Sequence, residues 1–108
     1  MKLLTKKIEK QLASNTPDST ANKPYLKLFN PTGAGTWLIS EYDPKNEMMF
    51  GLCDLGAGCP ELGYVDFKEL KEYKGRFGLG IERDLHFTPK KSLQEYANDA
   101  QKKGEIDV

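Results

Sequence analysis

Apolar residues recur along this chain at two different periods, and the switch between them marks its elements. Leu4, Ile8 and Leu12 return every fourth residue with a start near Thr5, the stripe of a short amphipathic helix. The run SNTPDSTANKP at 14–24 ends that stripe, and its Ser, Thr, Asn, Asp and Pro content predicts a surface loop too short to link two domains. YLKLF then reads as a strand, NPTGAG as a turn, and TWLISEY as a second strand rich in β-branched and aromatic residues. Asp43-Pro44-Lys45-Asn46 sets Asp and Pro where a type I turn prefers them, so EMMFGLCDL is expected to return antiparallel and complete a meander.

ELGYV predicts a fourth strand that runs straight into a helix. Asp66 is placed to cap it, Glu69 to bond back, Phe67 and Leu70 to face the core, and Gly75 to supply a left-handed stop. IERDLHF alternates as a fifth strand, and Thr88-Pro89 opens a last helix, SLQEYANDAQKK, with Leu93, Tyr96, Ala97 and Ala100 on one side. GEIDV carries no pattern, so residues 103–108 are expected to fray. The expectation is a single compact α+β domain over residues 1–108, an antiparallel four- to five-stranded sheet packed by about three short helices.

Composition narrows the function classes. A chain of 108 residues that is 38% hydrophobic can bury one core but not two. Its apolar runs fall far short of a bilayer span, and MKLLTKKIEK has no uninterrupted apolar stretch of a secretory signal, which predicts a cytoplasmic protein without membrane contact. The 16 basic and 16 acidic residues cancel, which argues against a generic polyelectrolyte partner. Their distribution is uneven. Residues 1–40 carry six lysines against Glu9 and Asp18, whereas residues 41–72 carry eight acids against three lysines. Lys2, Lys6, Lys7 and Lys10 form the basic cluster that nucleic acid would need, although such clusters are more often the wetted side of a helix.

Candidate chemistry concentrates in GLGIERDLHFTP at 78–89, which holds Glu82, Arg83, Asp84 and the sole histidine, His86. If this segment is extended, Glu82, Asp84 and His86 share a face. Their donor types suit a divalent metal, yet residues two apart on a strand lie ~6.6 Å apart, and metal sites gather ligands from several elements. A solvated polar face is the expectation. Arg83 falls among Ile81, Leu85 and Phe87, so either it is buried against a carboxylate such as Asp54, Glu61 or Asp66, or Glu82-Arg83-Asp84 is an exposed turn. Cys53 and Cys59 in CDLGAGC read as small buried residues beside glycines, with too few further ligands for zinc and both thiols reduced. GAG at 33–35 and 56–58 and GRFGLG at 75–80 match neither a dinucleotide fingerprint nor a P-loop and read as turn glycines. Ser14, Ser19, Ser40 and Ser92 sit in no nucleophile elbow. Trp37, Tyr42 and Tyr64 are of the type that stacks bases, but no RNP-like motif frames them and strand aromatics are more often core. The residues point to no enzyme, no cofactor and no metal.

MKLLTKKIEKQL, TWLISEYD with FGLCDLG, and ELGYVDFKELKEYKGRFGLGIERDLHFTPKKSL together resemble a family of small domains of unknown function carried by plasmids, phages and integrated conjugative elements. The likeness covers about residues 1–93 and is most specific in E-L-G-Y, the helix after it, and G-L-x-I-E-R-D-L-x-F-x-P. In that pattern the position of Gly80 is commonly proline and that of His86 commonly tyrosine, which weakens any chemical role for His86. Some similar proteins have been described as anti-CRISPR factors that block the RNA-guided nuclease of type II-A systems. The resemblance therefore implies a non-catalytic counter-defence protein of a mobile element, a monomer that binds the host CRISPR nuclease or an associated complex. Such a protein needs an exposed patch with a few anchors. The acidic middle suits a basic nucleic-acid channel, with Asp54, Glu61, Glu82, Arg83 and Asp84 as interface candidates. The alternative is a small nucleic-acid-binding accessory module of a mobile element, making weak contact through the basic first helix and exposed aromatics.

Overall fold

The computed structural model describes residues 1–108. The first apolar stripe forms α1 (Lys6–Ala13), whose Thr5 hydroxyl accepts the Ile8 amide at 3.2 Å as an N-cap. The meander follows as β1 (Leu26–Phe29), β2 (Thr36–Asp43), β3 (Met48–Asp54) and β4 (Glu61–Asp66). Asp66 ends β4 and caps α2 (Phe67–Glu72), its carboxylate accepting the Lys68 and Glu69 amides at 2.9 and 3.4 Å. The chain then crosses to the far edge as β5 (Glu82–Arg83) and finishes in α3 (Leu93–Lys103). The result is an α+β fold with one five-stranded antiparallel sheet, ordered β4-β3-β2-β1-β5. No helix is long and apolar enough to cross a membrane.

Each face of the sheet carries its own core. On one side Leu26, Leu28, Trp37, Ile39 and Met49 pack with Leu3, Leu4, Leu12, Phe67 and Ile81, so the N-terminal segment, α1 and α2 lie over the same face. On the other, Leu38 and Leu52 pack with Leu93, Tyr96, Ala97 and Ala100 of α3. Strand alternation alone would send Glu41 and Asp43 to the side of Trp37 and Ile39. Ser40 prevents this. Ile39 pairs with Gly51 and Glu41 with Phe50, which leaves Ser40 as the extra residue of a bulge. Beyond it Tyr42 joins the α1/α2 side, edge-on to Phe67 with ring centroids 5.5 Å apart, and Glu41 turns outward with Phe50. The bulge requires glycine opposite, because a Cβ on Gly51 would lie 2.0 Å from the Leu38 carbonyl oxygen.

Several expectations change. The fifth strand is only two residues long, since Asp84 accepts the His86 amide at 2.9 Å and turns the chain away from β1. The second helix stops at Glu72 with Tyr73 extended. Gly75 has a negative φ of −96° and is needed for closeness instead, because a Cβ there would sit 2.7 Å from the Thr32 hydroxyl. Ser92, not Thr88-Pro89, starts the last helix through a capping box with Glu95. The tail is held as well: the Ile106 amide donates to Asp54 at 2.8 Å and the Ile106 side chain packs under α3.

Gly51→Ala is expected to lower unfolding free energy by about 3 kcal/mol, the overpacking range, read as a lower urea midpoint. Ser40→Ala removes a buried hydroxyl that has no hydrogen-bond partner. It is expected to change stability by less than about 0.5 kcal/mol or to raise it. A large loss would mean that the hydroxyl is bonded after all.

Candidate functional site

The structure scatters the residues that the sequence nominates. Asp54 is buried at the end of β3, where one carboxylate oxygen accepts the Gly56 amide at 2.9 Å and the other holds Ile106. It anchors the fold and cannot present charge to a partner. Glu61 is exposed at the start of β4 on one edge of the sheet. Glu82, Arg83 and Asp84 lie on the opposite edge, four strand spacings or about 19 Å away. These five residues make no single patch.

Arg83 follows neither of its two expected fates. It is half-buried opposite Leu28, and its guanidinium donates to the Lys2 carbonyl oxygen, tying β5 to the N-terminal segment without any carboxylate. Asp84 pairs with Lys27 at 3.1 Å. The amide of His86, and then the Lys27 ammonium, hold the Asp84 carboxyl below its ordinary range. His86 is exposed in the turn after β5. No three His, Cys, Asp or Glu side chains gather to hold a metal ion. The two thiols are free and differ in setting: Cys53 is half-buried, its thiol pushed up to about 11 by burial, whereas Cys59 is exposed in the β3–β4 loop. The expectation of two buried cysteines therefore holds for neither fully.

Two surface features combine residues that are distant in sequence. The first is a groove of about 310 Å³ at the turn end of the β2–β3 hairpin, with no residue of α3 in its lining. Its lining includes Asp18 from the 14–24 loop, Glu41 and Asp43 from β2, and the rings of Phe50 and Tyr64, with no lysine or arginine. The bulge at Ser40 is what turns Glu41 to this side. Asp18, at φ +58°, donates its amide to the Glu41 carboxylate at 3.0 Å and so joins loop to strand. Asp43 is held below the ordinary carboxylate range, first by the Asn46 side chain and then by backbone amides of the turn. Tyr64 is 70% exposed and stands at 5.1 Å from Phe50, centroid to centroid. Of the three strand aromatics that the sequence singles out, Trp37 is core, Tyr42 half-buried, and Tyr64 displayed.

The second feature is the loop Tyr73–Gly80. The Gly75 amide donates to the Leu79 carbonyl at 2.7 Å, Leu79 to Arg76 at 3.1 Å, and the Tyr73 hydroxyl accepts from Asn30 at 3.3 Å. At its tip Phe77 is 91% exposed with φ +58° and ψ +21°. A left-handed backbone at an aromatic residue costs about 1–2 kcal/mol, and such strain concentrates where a side chain must be presented. The sequence contains the signal, an arginine and a phenylalanine inside G-R-F-G-L-G. Reading its glycines only as turns conceals it.

Fold and surfaces together define an α+β protein built on one antiparallel sheet, with its conspicuous features on the outside. The chain belongs to the family described as protein of unknown function (DUF2958), whose model matches residues 3–107. No curated protein and no solved structure matches it.

Phe77→Gly is expected to raise stability by about 0.5–1 kcal/mol, relief of the left-handed strain less the glycine entropy, measured by urea unfolding. For Asp84 the folded pKa lies below the ordinary 3.8, so its stabilisation is complete above that pH and is lost as pH falls through the folded value. Asp84→Asn is thus expected to be about 1 kcal/mol less stable than the parent at neutral pH. The gap should close in acid, as followed by thermal melts across pH.

Proposed function

We propose that this protein is a non-catalytic counter-defence factor of a mobile genetic element that acts in the cytoplasm of a bacterial host by binding. Its target on this reading is the RNA-guided nuclease of a type II-A system, and it blocks that enzyme as a monomer, by occupation of a surface. The observation that carries the proposal is the acid- and aromatic-lined groove at the β2–β3 end, where Asp18, Glu41 and Asp43 stand with an exposed Tyr64 and no cation among them. A basic channel built for nucleic acid is complementary to such a surface, and carboxylates around an aromatic anchor supply both steering and a hot spot. The motif resemblance supports the choice of nuclease.

Purified protein added to guide-loaded type II-A nuclease is expected to suppress target-DNA cleavage near one-to-one stoichiometry and to co-elute with the enzyme. Reversing charge in Glu41→Lys/Asp43→Lys, or truncating Tyr64→Ala, should weaken inhibition by about tenfold or more. Asp43 and Tyr64 are exposed and Glu41 is half-buried at the groove, its one contact of note being with the Asp18 loop, so the variants are expected to keep the parent's circular dichroism. Full cleavage at a large molar excess of the parent protein would sink the proposal.

A further inference from the structure

The fold brings together two basic segments that lie far apart in sequence. Residues 1–13 and 67–81 form the layer over the Trp37–Ile39 side of the sheet. They hold eight lysines and arginines against Glu9, Glu69 and Glu72, a net of +5 in a chain whose total is zero. Lys2, Lys6, Lys7 and Lys10 come from the first segment; all are exposed. Lys68, Lys71, Lys74 and Arg76 come from the second and are exposed as well, with Lys71 engaged by Glu47 at 2.6 Å. Between the segments runs a groove of about 540 Å³. Its floor is apolar (Leu3, Leu4, Ile81), its rim bears Lys2, Lys71 and Lys74, and Glu82 closes one end. Phe77 rises beside it on a loop that is clamped by its own backbone hydrogen bonds.

We infer that this layer binds single-stranded nucleic acid, with phosphates on its exposed cations and an unpaired base stacked on Phe77. A groove of cations beside an open aromatic ring is the arrangement that recognises a single strand, because every base has a face to stack and every phosphate a charge to neutralise. A duplex hides its base faces and gives Phe77 nothing to cover. The inference stands apart from nuclease inhibition: it concerns the opposite side of the sheet from the acidic groove and can fail or hold alone.

The test is fluorescence anisotropy of a labelled oligo(dT) strand with the full chain across a salt series. Binding is expected, with log K against log salt falling at a slope of about −2 to −3, the release expected for three to four phosphates. Phe77→Ala should weaken binding about tenfold, within the range for losing one stacked base. Lys74→Glu/Arg76→Glu should weaken it further and flatten the slope by about 1 or more. Lys102→Glu/Lys103→Glu on α3, across the sheet, should leave it unchanged. Each variant lies at the surface, and circular dichroism checks its fold. The inference is overturned if the parent leaves oligo(dT) unbound at ~100 μM protein in low salt, the result expected were an acidic protein the true occupant. It is equally overturned if Phe77→Ala binds like the parent, if a matched duplex binds as tightly as the strand, or if the α3 variant loses as much as the loop variant.

Discussion

One inserted residue governs how this molecule divides its surface. Ser40 breaks the alternation of β2, and the break is possible only because Gly51 lets the neighbouring strand approach the Leu38 carbonyl without a side chain in the way. Before the bulge, Trp37 and Ile39 pack beneath α1 and α2; after it, Tyr42 takes up that duty. Were the strand regular, Glu41 and Asp43 would point into that apolar layer and burial of their charges would oppose folding. The bulge sends them out beside Phe50 and Tyr64 instead. Burial and charge separation thus depend on the same local irregularity.

Most elements were legible because each has a local cause. Thr5 and Asp66 cap their helices, the Asp43–Asn46 turn reverses the chain, and four apolar runs of strand length pair in order. The errors lie where a distant contact decides. Residues 84–87 alternate well enough for a strand, but the Asp84 side chain captures the His86 amide and ends the pairing. Gly75 looks like a helix stop, yet its reason is Thr32, forty-three residues earlier. The last residues have no pattern of their own because their order comes from Asp54, which a sequence reading assigns to the surface on account of its charge.

The candidate surfaces were less legible than the fold, for a related reason. Along the chain, residues 41–72 look acidic as a block. In three dimensions that block is dispersed: Asp54 is consumed inside, Asp66 caps α2, and Glu47 faces Lys71. What remains joins Asp18, which belongs to a different segment. The basic cluster of the first helix likewise gains its companions from the stretch after β4. Neither grouping has a linear signature. The sheet makes both by setting sequence-distant segments side by side, one on each of its faces.

The closed loop from Tyr73 to Gly80 has an implication for how such a chain can diversify. Its shape is kept by Gly75, Leu79 and the carbonyl of Arg76 through the backbone, while the side chains of Arg76 and Phe77 contribute no hydrogen bond to that closure. Those two side chains can be exchanged as a cassette, changing the chemistry of the exposed tip while the hydrophobic layers beneath keep their packing. A tip built in this way can vary its side chains without risk to the scaffold.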